Sequence, residues 1–131
     1  MPKLRSVKDY MATELVTVQP ETSAYEAILL LLKHQISGMP VVGDRGELVG
    51  ILSERDCLKT LVHAQYHDLP TAKVGDLMTT TIRTISPDMN ILEVAELFLD
   101  NSFRRLPVLD EGRLVGQISR WDVLRAIREA N

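Results

Sequence analysis

Two short segments hold the side chains best suited to chemistry, Ser53-Glu54-Arg55-Asp56 and Ser119-Arg120-Trp121-Asp122. In each, a hydroxyl stands where a β-prone run ends. A carboxylate follows about one turn later, on the same side of the helix that begins there and facing the free N–H groups of its first turn. Anions are welcome at such a place. A carboxylate that accepts from both hydroxyls of a ribose fixes the sugar, while the serine hydroxyl and the helix N-terminus hold a first phosphate. Ser-x-x-Asp is equally the pattern of a helix capping box, so the residues alone leave both readings open.

Other chemistry finds little support. His63 and His67 are spaced i, i+4 but lack a third ligand, so they read as surface histidines and no metal is expected. Cys57 is the single cysteine, with no histidine beside it; burial is its expected fate, and a reducing compartment suits it. Gly43, Gly46 and Gly50 lie in a hairpin pattern and match neither a P-loop nor a dinucleotide fingerprint. Trp121 reads as a packing residue. No nucleophile is paired with a base, so the chain reads as a non-enzyme. The net charge of −3 argues against nucleic acid as a partner, because that affinity comes from clustered Lys and Arg. The longest aliphatic run, Ala27 to Leu32, is far too short to cross a bilayer, and polar residues follow the first five; no membrane contact is expected, and the cytoplasm is the expected location.

The elements that must position these residues are written twice. Val7, Asp9, Met11, Thr13, Thr17, Pro20, Glu26, Pro40 and Val41 return as Val74, Asp76, Met78, Thr80, Thr84, Pro87, Glu93, Pro107 and Val108. After a one-residue slip at Gly43, the residues Gly46, Leu48, Gly50, Ser53, Asp56 and Leu58 line up with Gly112, Leu114, Gly116, Ser119, Asp122 and Leu124. Only two copies are present, so the 131 residues read as one pseudo-symmetric module spanning 1–131: copy one over 7–64, a polar linker over 65–73 and copy two over 74–131. Within each copy a brief strand (Val16 to Val18, Arg83 to Ile85) ends at Pro20 or Pro87. A helix capped at Ser23 or Asn90 follows, with an acid three residues on. Then comes a hairpin, from Met39 to Val42 and from Leu106 to Leu109, returning over Leu48 to Leu52 and Leu114 to Ile118. Last helices begin near Ser53 and Ser119 and run towards Ala64 and Ala130.

The doubled set of Val-x-Asp-x-Met-x-Thr, Pro-Val strand and Gly-x-apolar-Ser-x-x-Asp resembles a pair of CBS domains, named for cystathionine β-synthase and together called a Bateman module. The resemblance covers nearly the whole chain. It implies a mixed α+β fold of tandem β-α-β-β-α repeats packed sheet to sheet about a pseudo-twofold axis, with two clefts that often hold adenosine-containing ligands. It gives Asp56 and Asp122 the ribose role and Ser53 and Ser119 the phosphate role. In nucleotide-binding relatives, basic side chains in the segment Phe103-Arg104-Arg105 reach phosphates, so Arg104, Arg105 and Arg120, with Arg55, are the candidates for a polyphosphate. The same segment of copy one, Ile36-Ser37-Gly38, offers backbone groups to an adenine edge, and Thr17 and Thr84 complete the candidate set. The charge makes copy two the expected tighter site.

The expected function is therefore a regulatory module sensing AMP, ADP or ATP, with NAD and S-adenosylmethionine as alternatives, and passing its occupancy to a regulated protein. The rival is a purely structural dimerisation module with empty clefts. A homodimer is expected in both cases. Residues 24–32 are apolar around nearly the whole helix circumference and so need cover on more than one side, with Leu29 or Leu30 near the contact. The counterpart helix is expected to turn Glu93, Glu96 and Asp100 outward.

Overall fold

In the computed structural model, which describes residues 5–63 and 72–130 apart from the side chains at 61 and 63, a 3-10 turn at Val7–Asp9 precedes nine elements. These run α1 (Ala24–His34), β1 (Gly38–Val42), β2 (Leu48–Ser53), α2 (Glu54–His63), α3 (Val74–Leu77), α4 (Ile91–Asp100), β3 (Arg105–Asp110), β4 (Arg113–Ser119) and α5 (Arg120–Ala130). Most of the expected linker, Ala64, His67 and the side chain of His63 lie outside the described residues. The helix caps form as the sequence predicts. Ser23 Oγ accepts the Glu26 N–H at 3.1 Å, and Asn90 Oδ1 accepts the Leu92 N–H at 2.7 Å.

Packing divides the chain differently from the sequence repeat. One compact unit is Val16–Ile82; the other joins Met1–Leu15 to Arg83–Asn131. Each unit therefore takes its Val-x-Asp-x-Met opening from the other copy.

In the unit Val16–Ile82, β1 and β2 pair antiparallel with Gly38 opposite Ser53 and Pro40 opposite Ile51. Val18 adds a parallel bridge to Val41, and Thr79 an antiparallel one to Ile51. The opening segment docks through its backbone, Val74 N–H on the Thr22 carbonyl and Gly75 N–H on that of Pro20, both within 2.9 Å. Val18, Ala27, Leu31, Met39, Val41, Leu52, Cys57 and Val74 form the core.

The other unit repeats the plan, with Arg105 opposite Ser119, a parallel bridge from Ile85 to Val108 and an antiparallel one from Ala12 to Gln117. Its core gathers Val7, Tyr10, Ile85, Ile91, Val94, Phe98, Leu106, Val108, Ile118, Val123 and Ala126. Both units are α+β, the expected class.

The brief opening strands prove shorter than expected, and proline is the reason. Val18 donates to the Pro40 carbonyl and accepts from Val42, while Ile85 donates to Pro107 and accepts from Leu109. The next bond of each parallel ladder needs an N–H from Pro40 or Pro107, which neither has, so each strand is cut to a single bridge. The one-residue slip falls in the turns. The first hairpin closes over Asp44-Arg45-Gly46, with Gly43 N–H on the Glu47 carbonyl at 2.9 Å and Gly46 at φ 80°. The second closes over Glu111 (φ 51°) and Gly112 (φ 80°) alone, the two positive angles of a type I′ turn.

The motif methionines explain Gly50 and Gly116. A Cβ at Gly50 meets the Met78 Sδ at 2.5 Å, and one at Gly116 meets the Met11 Sδ at 2.5 Å and the Ala12 carbonyl at 2.9 Å. Met78 can swing aside, whereas the Ala12 carbonyl belongs to a backbone bridge. Gly116→Ala is therefore expected to destabilise by about 1–3 kcal/mol and Gly50→Ala by less, read from urea unfolding midpoints.

Candidate functional site

Strand register assembles the first constellation. Because Gly38 pairs with Ser53, and the Glu54 N–H donates to the Ser37 carbonyl at 2.8 Å, residues 37, 38 and 53–56 meet at the start of α2. There Asp56 Oδ2 accepts from the Ser53 N–H and the Ser53 hydroxyl, both at 2.9 Å, and Ser53 Oγ accepts the Asp56 N–H at 3.1 Å. That is a complete capping box. It spends the Ser53 hydrogen on Asp56, so the serine positions the carboxylate. Asp56 Oδ1 receives the Thr79 hydroxyl at 3.3 Å. The bridge from Ile51 to Thr79 brings that threonine within reach.

The second constellation copies the first and then departs from it. Asp122 Oδ2 accepts from the Ser119 N–H at 2.8 Å and the Ser119 hydroxyl at 3.1 Å, and the Asp122 N–H returns to Ser119 Oγ at 3.3 Å. Ala12 stands at the bridge position that Thr79 holds in the first unit. Asp122 Oδ1 is instead paired with the Arg125 guanidinium at 2.6 Å, and Arg125 also donates to the Tyr10 carbonyl at 3.3 Å.

The remaining candidates divide. Arg105 opens β3 directly opposite Ser119, so register brings it to the second constellation. Arg104 and Arg120 are exposed beside it, and Arg55 is exposed in the first turn of α2. Phe103 and Ile36 are partly buried against the cores of their units, and the Ile36 N–H is spent on the Leu31 carbonyl at 3.1 Å. Thr17 and Thr84 flank the single bridges at Val18 and Ile85, on the edges of β1 and β3 away from β2 and β4. They share no hydrogen bond with Asp56 or Asp122. Sequence reasoning missed Thr79 and Arg125. The second was visible as an acid and a base three residues apart on a helix; the first depends on a bridge between residues far apart in the chain.

Cys57 is buried as expected, and burial, with the Asp56 charge beside it, pushes its thiol above the usual value. Trp121 is not a packing residue within the chain: it is 76% exposed. Its first-turn position on α5 faces away from the core that Val123 and Ala126 enter. No described helix is long and apolar enough to cross a membrane, and no described group of His, Cys, Asp and Glu clusters as a metal site.

Comparison with known proteins fits this geometry. The CBS domain family model matches residues 7–63 and 74–129. The CBS domain-containing protein YhcV of Bacillus subtilis is 33% identical over 121 residues, which span 92% of this chain and 84% of YhcV. CBSX2 of Arabidopsis thaliana, crystallised in complex with AMP, is 36% identical with a TM-score of 0.84 and covers 95% of this chain and 97% of its own. The CBS domain pair of protein MJ0100, in complex with 5-methylthioadenosine and S-adenosyl-L-methionine, is 27% identical with a TM-score of 0.79, covering 98% and 99%. The duplicated motifs, the paired α+β units and these matches together make this chain a member of the CBS domain family, with two CBS domains in tandem.

Proposed function

We propose that this chain is a non-enzymatic regulatory module that binds an adenosine-containing nucleotide and passes its occupancy to a partner protein. The observation that carries the reading is the carboxylate of Asp56, oriented at the start of α2 by its capping box and with Oδ1 engaged, among the described residues, by a neutral hydroxyl. Two ribose hydroxyls are the donors such an acceptor suits.

The ligands named for CBSX2 and MJ0100 share adenosine and differ at the 5′ position. That position is where this chain's arginines count. Arg104, Arg105 and Arg120 favour a phosphate over a neutral thioether or a cationic sulfonium, so AMP, ADP and ATP are the preferred ligands ahead of NAD and S-adenosylmethionine. In the other half, the Ile36 carbonyl and the Ser37 N–H form an acceptor and donor pair that the chain's own bonds leave free among the described residues. Adenine offers the matching donor and acceptor, whereas guanine offers them reversed. The location we propose is the cytoplasm.

A thermal-shift panel tests the reading. A nucleotide at a hundredfold excess over its dissociation constant stabilises by about 2.7 kcal/mol, so adenine nucleotides are expected to raise the melting temperature by several degrees and guanine nucleotides much less. Equal shifts for ATP and GTP remove the base preference. The second reading, a purely structural dimerisation module, draws on the completeness of both capping boxes, and no shift with any adenosine ligand favours it.

A further inference from the structure

The two constellations differ at one oxygen. Asp122, with a side chain 15% exposed, has Oδ2 filled by Ser119 and Oδ1 held at 2.6 Å by Arg125, itself braced on the Tyr10 carbonyl. At the matching helix position the first unit has Lys59 in place of Arg125, and Asp56 meets no cation among the described residues. A ribose diol binds a carboxylate by donating to it. On Asp56 it competes only with the Thr79 hydroxyl, which can rotate to another acceptor. On Asp122 it must first displace a guanidinium that already occupies Oδ1 and is braced on the Tyr10 carbonyl.

Resting on the adenosine reading above, we propose that Arg125 is an internal counter-ion that closes the ribose position of Asp122. The chain then takes one nucleotide, on Asp56, before the second position fills. This reverses the order expected from the arginine content of copy two: Arg105 can draw a phosphate towards Ser119, but the sugar behind it finds its acceptor occupied. The Lys59 and Arg125 difference is what makes near-identical motifs unequal.

Calorimetric titration of the full chain with AMP tests this through a reciprocal exchange. Wild type is expected to show one strong site per chain, weakened about ten- to hundredfold by Asp56→Ala. Arg125→Lys, which installs the residue of the first unit, and Arg125→Met, which removes the charge, are each expected to tighten the second site at least tenfold and bring the stoichiometry towards two. Lys59→Arg is expected to weaken the first site by a similar factor. If wild type binds AMP but both Arg125 variants leave the second site unchanged or weaker, Arg125 is not a counter-ion that excludes ribose and the inference fails while the adenosine reading stands. If wild type and both variants bind neither AMP nor adenosine, the adenosine reading itself fails. Circular dichroism melting of Arg125→Lys separates a folding defect from a binding effect, since Lys keeps the charge and the helix propensity at that position.

Discussion

Asp56→Ala is expected to lower the affinity for AMP about ten- to hundredfold. A carboxylate accepting from ribose hydroxyls contributes about 1.5–3 kcal/mol, and every 1.4 kcal/mol is close to a factor of ten. The same substitution breaks the capping box at the start of α2, because Asp56 Oδ2 takes both the Ser53 N–H and its hydroxyl. That loss costs about 1 kcal/mol of stability and would occur with or without a ligand site. Ser53→Ala is the control that separates the two effects, since it removes the hydroxyl from the cap and leaves the carboxylate in place. Calorimetric titration well below both melting temperatures should find a much larger loss of affinity in Asp56→Ala than in Ser53→Ala, whose carboxylate keeps the Ser53 N–H, with stability reduced in both. If both variants lose stability and neither loses affinity, Asp56 is a helix cap and nothing more.

The second large effect concerns assembly. Every long helix of the two units carries an apolar stripe that its own unit leaves exposed: Tyr25, Leu29 and Leu32 on α1, Leu58 and Val62 on α2, Leu92 and Leu99 on α4, and Trp121, Leu124 and Ile127 on α5. The spacings are those of single helix faces, and Leu99 is 85% exposed and Trp121 76%. A second copy of the chain is the proposed cover. Leu29→Asp or Leu99→Asp is expected to convert a dimer to monomers, because an aspartate buried unpaired in an apolar contact costs several kcal/mol. Leu30 is the wrong position for this test, as it packs against the core of its own unit. Light scattering coupled to size-exclusion chromatography reads the result. A wild type already monomeric at micromolar concentration removes the proposal.

What was legible in the sequence is what local chemistry determines. The caps at Ser23 and Asn90, the hairpins with their glycine turns and the slip at Gly43 each depend on a few neighbouring residues, and each forms. The brief strands at Val16 and Arg83 were over-read because their partners matter: the prolines of the facing strands withhold the N–H that a longer ladder needs. The exposed stripe on α4 was hidden by its own acids. Glu93, Glu96 and Asp100 do face outward, but Leu92 and Leu99 face outward too. The Ser-x-x-Asp pairs were readable as candidates, and the two roles of Ser-x-x-Asp turn out to share one geometry, in which the cap aims the carboxylate. The exchange of opening segments between copies was not readable, because it rests on backbone bonds between residues such as Val7 and Met89 that no local pattern announces. Thr79 and its contact with Asp56 depend on the same kind of long-range bridge.

A crystal structure of the full chain grown with AMP tests the central claim most directly. The account predicts density for the nucleotide with its ribose hydroxyls within hydrogen-bond distance of the Asp56 carboxylate and the Asp122–Arg125 pair intact. Saturating AMP with no density at Asp56, or a ribose seated on Asp122 with Arg125 displaced, would contradict it.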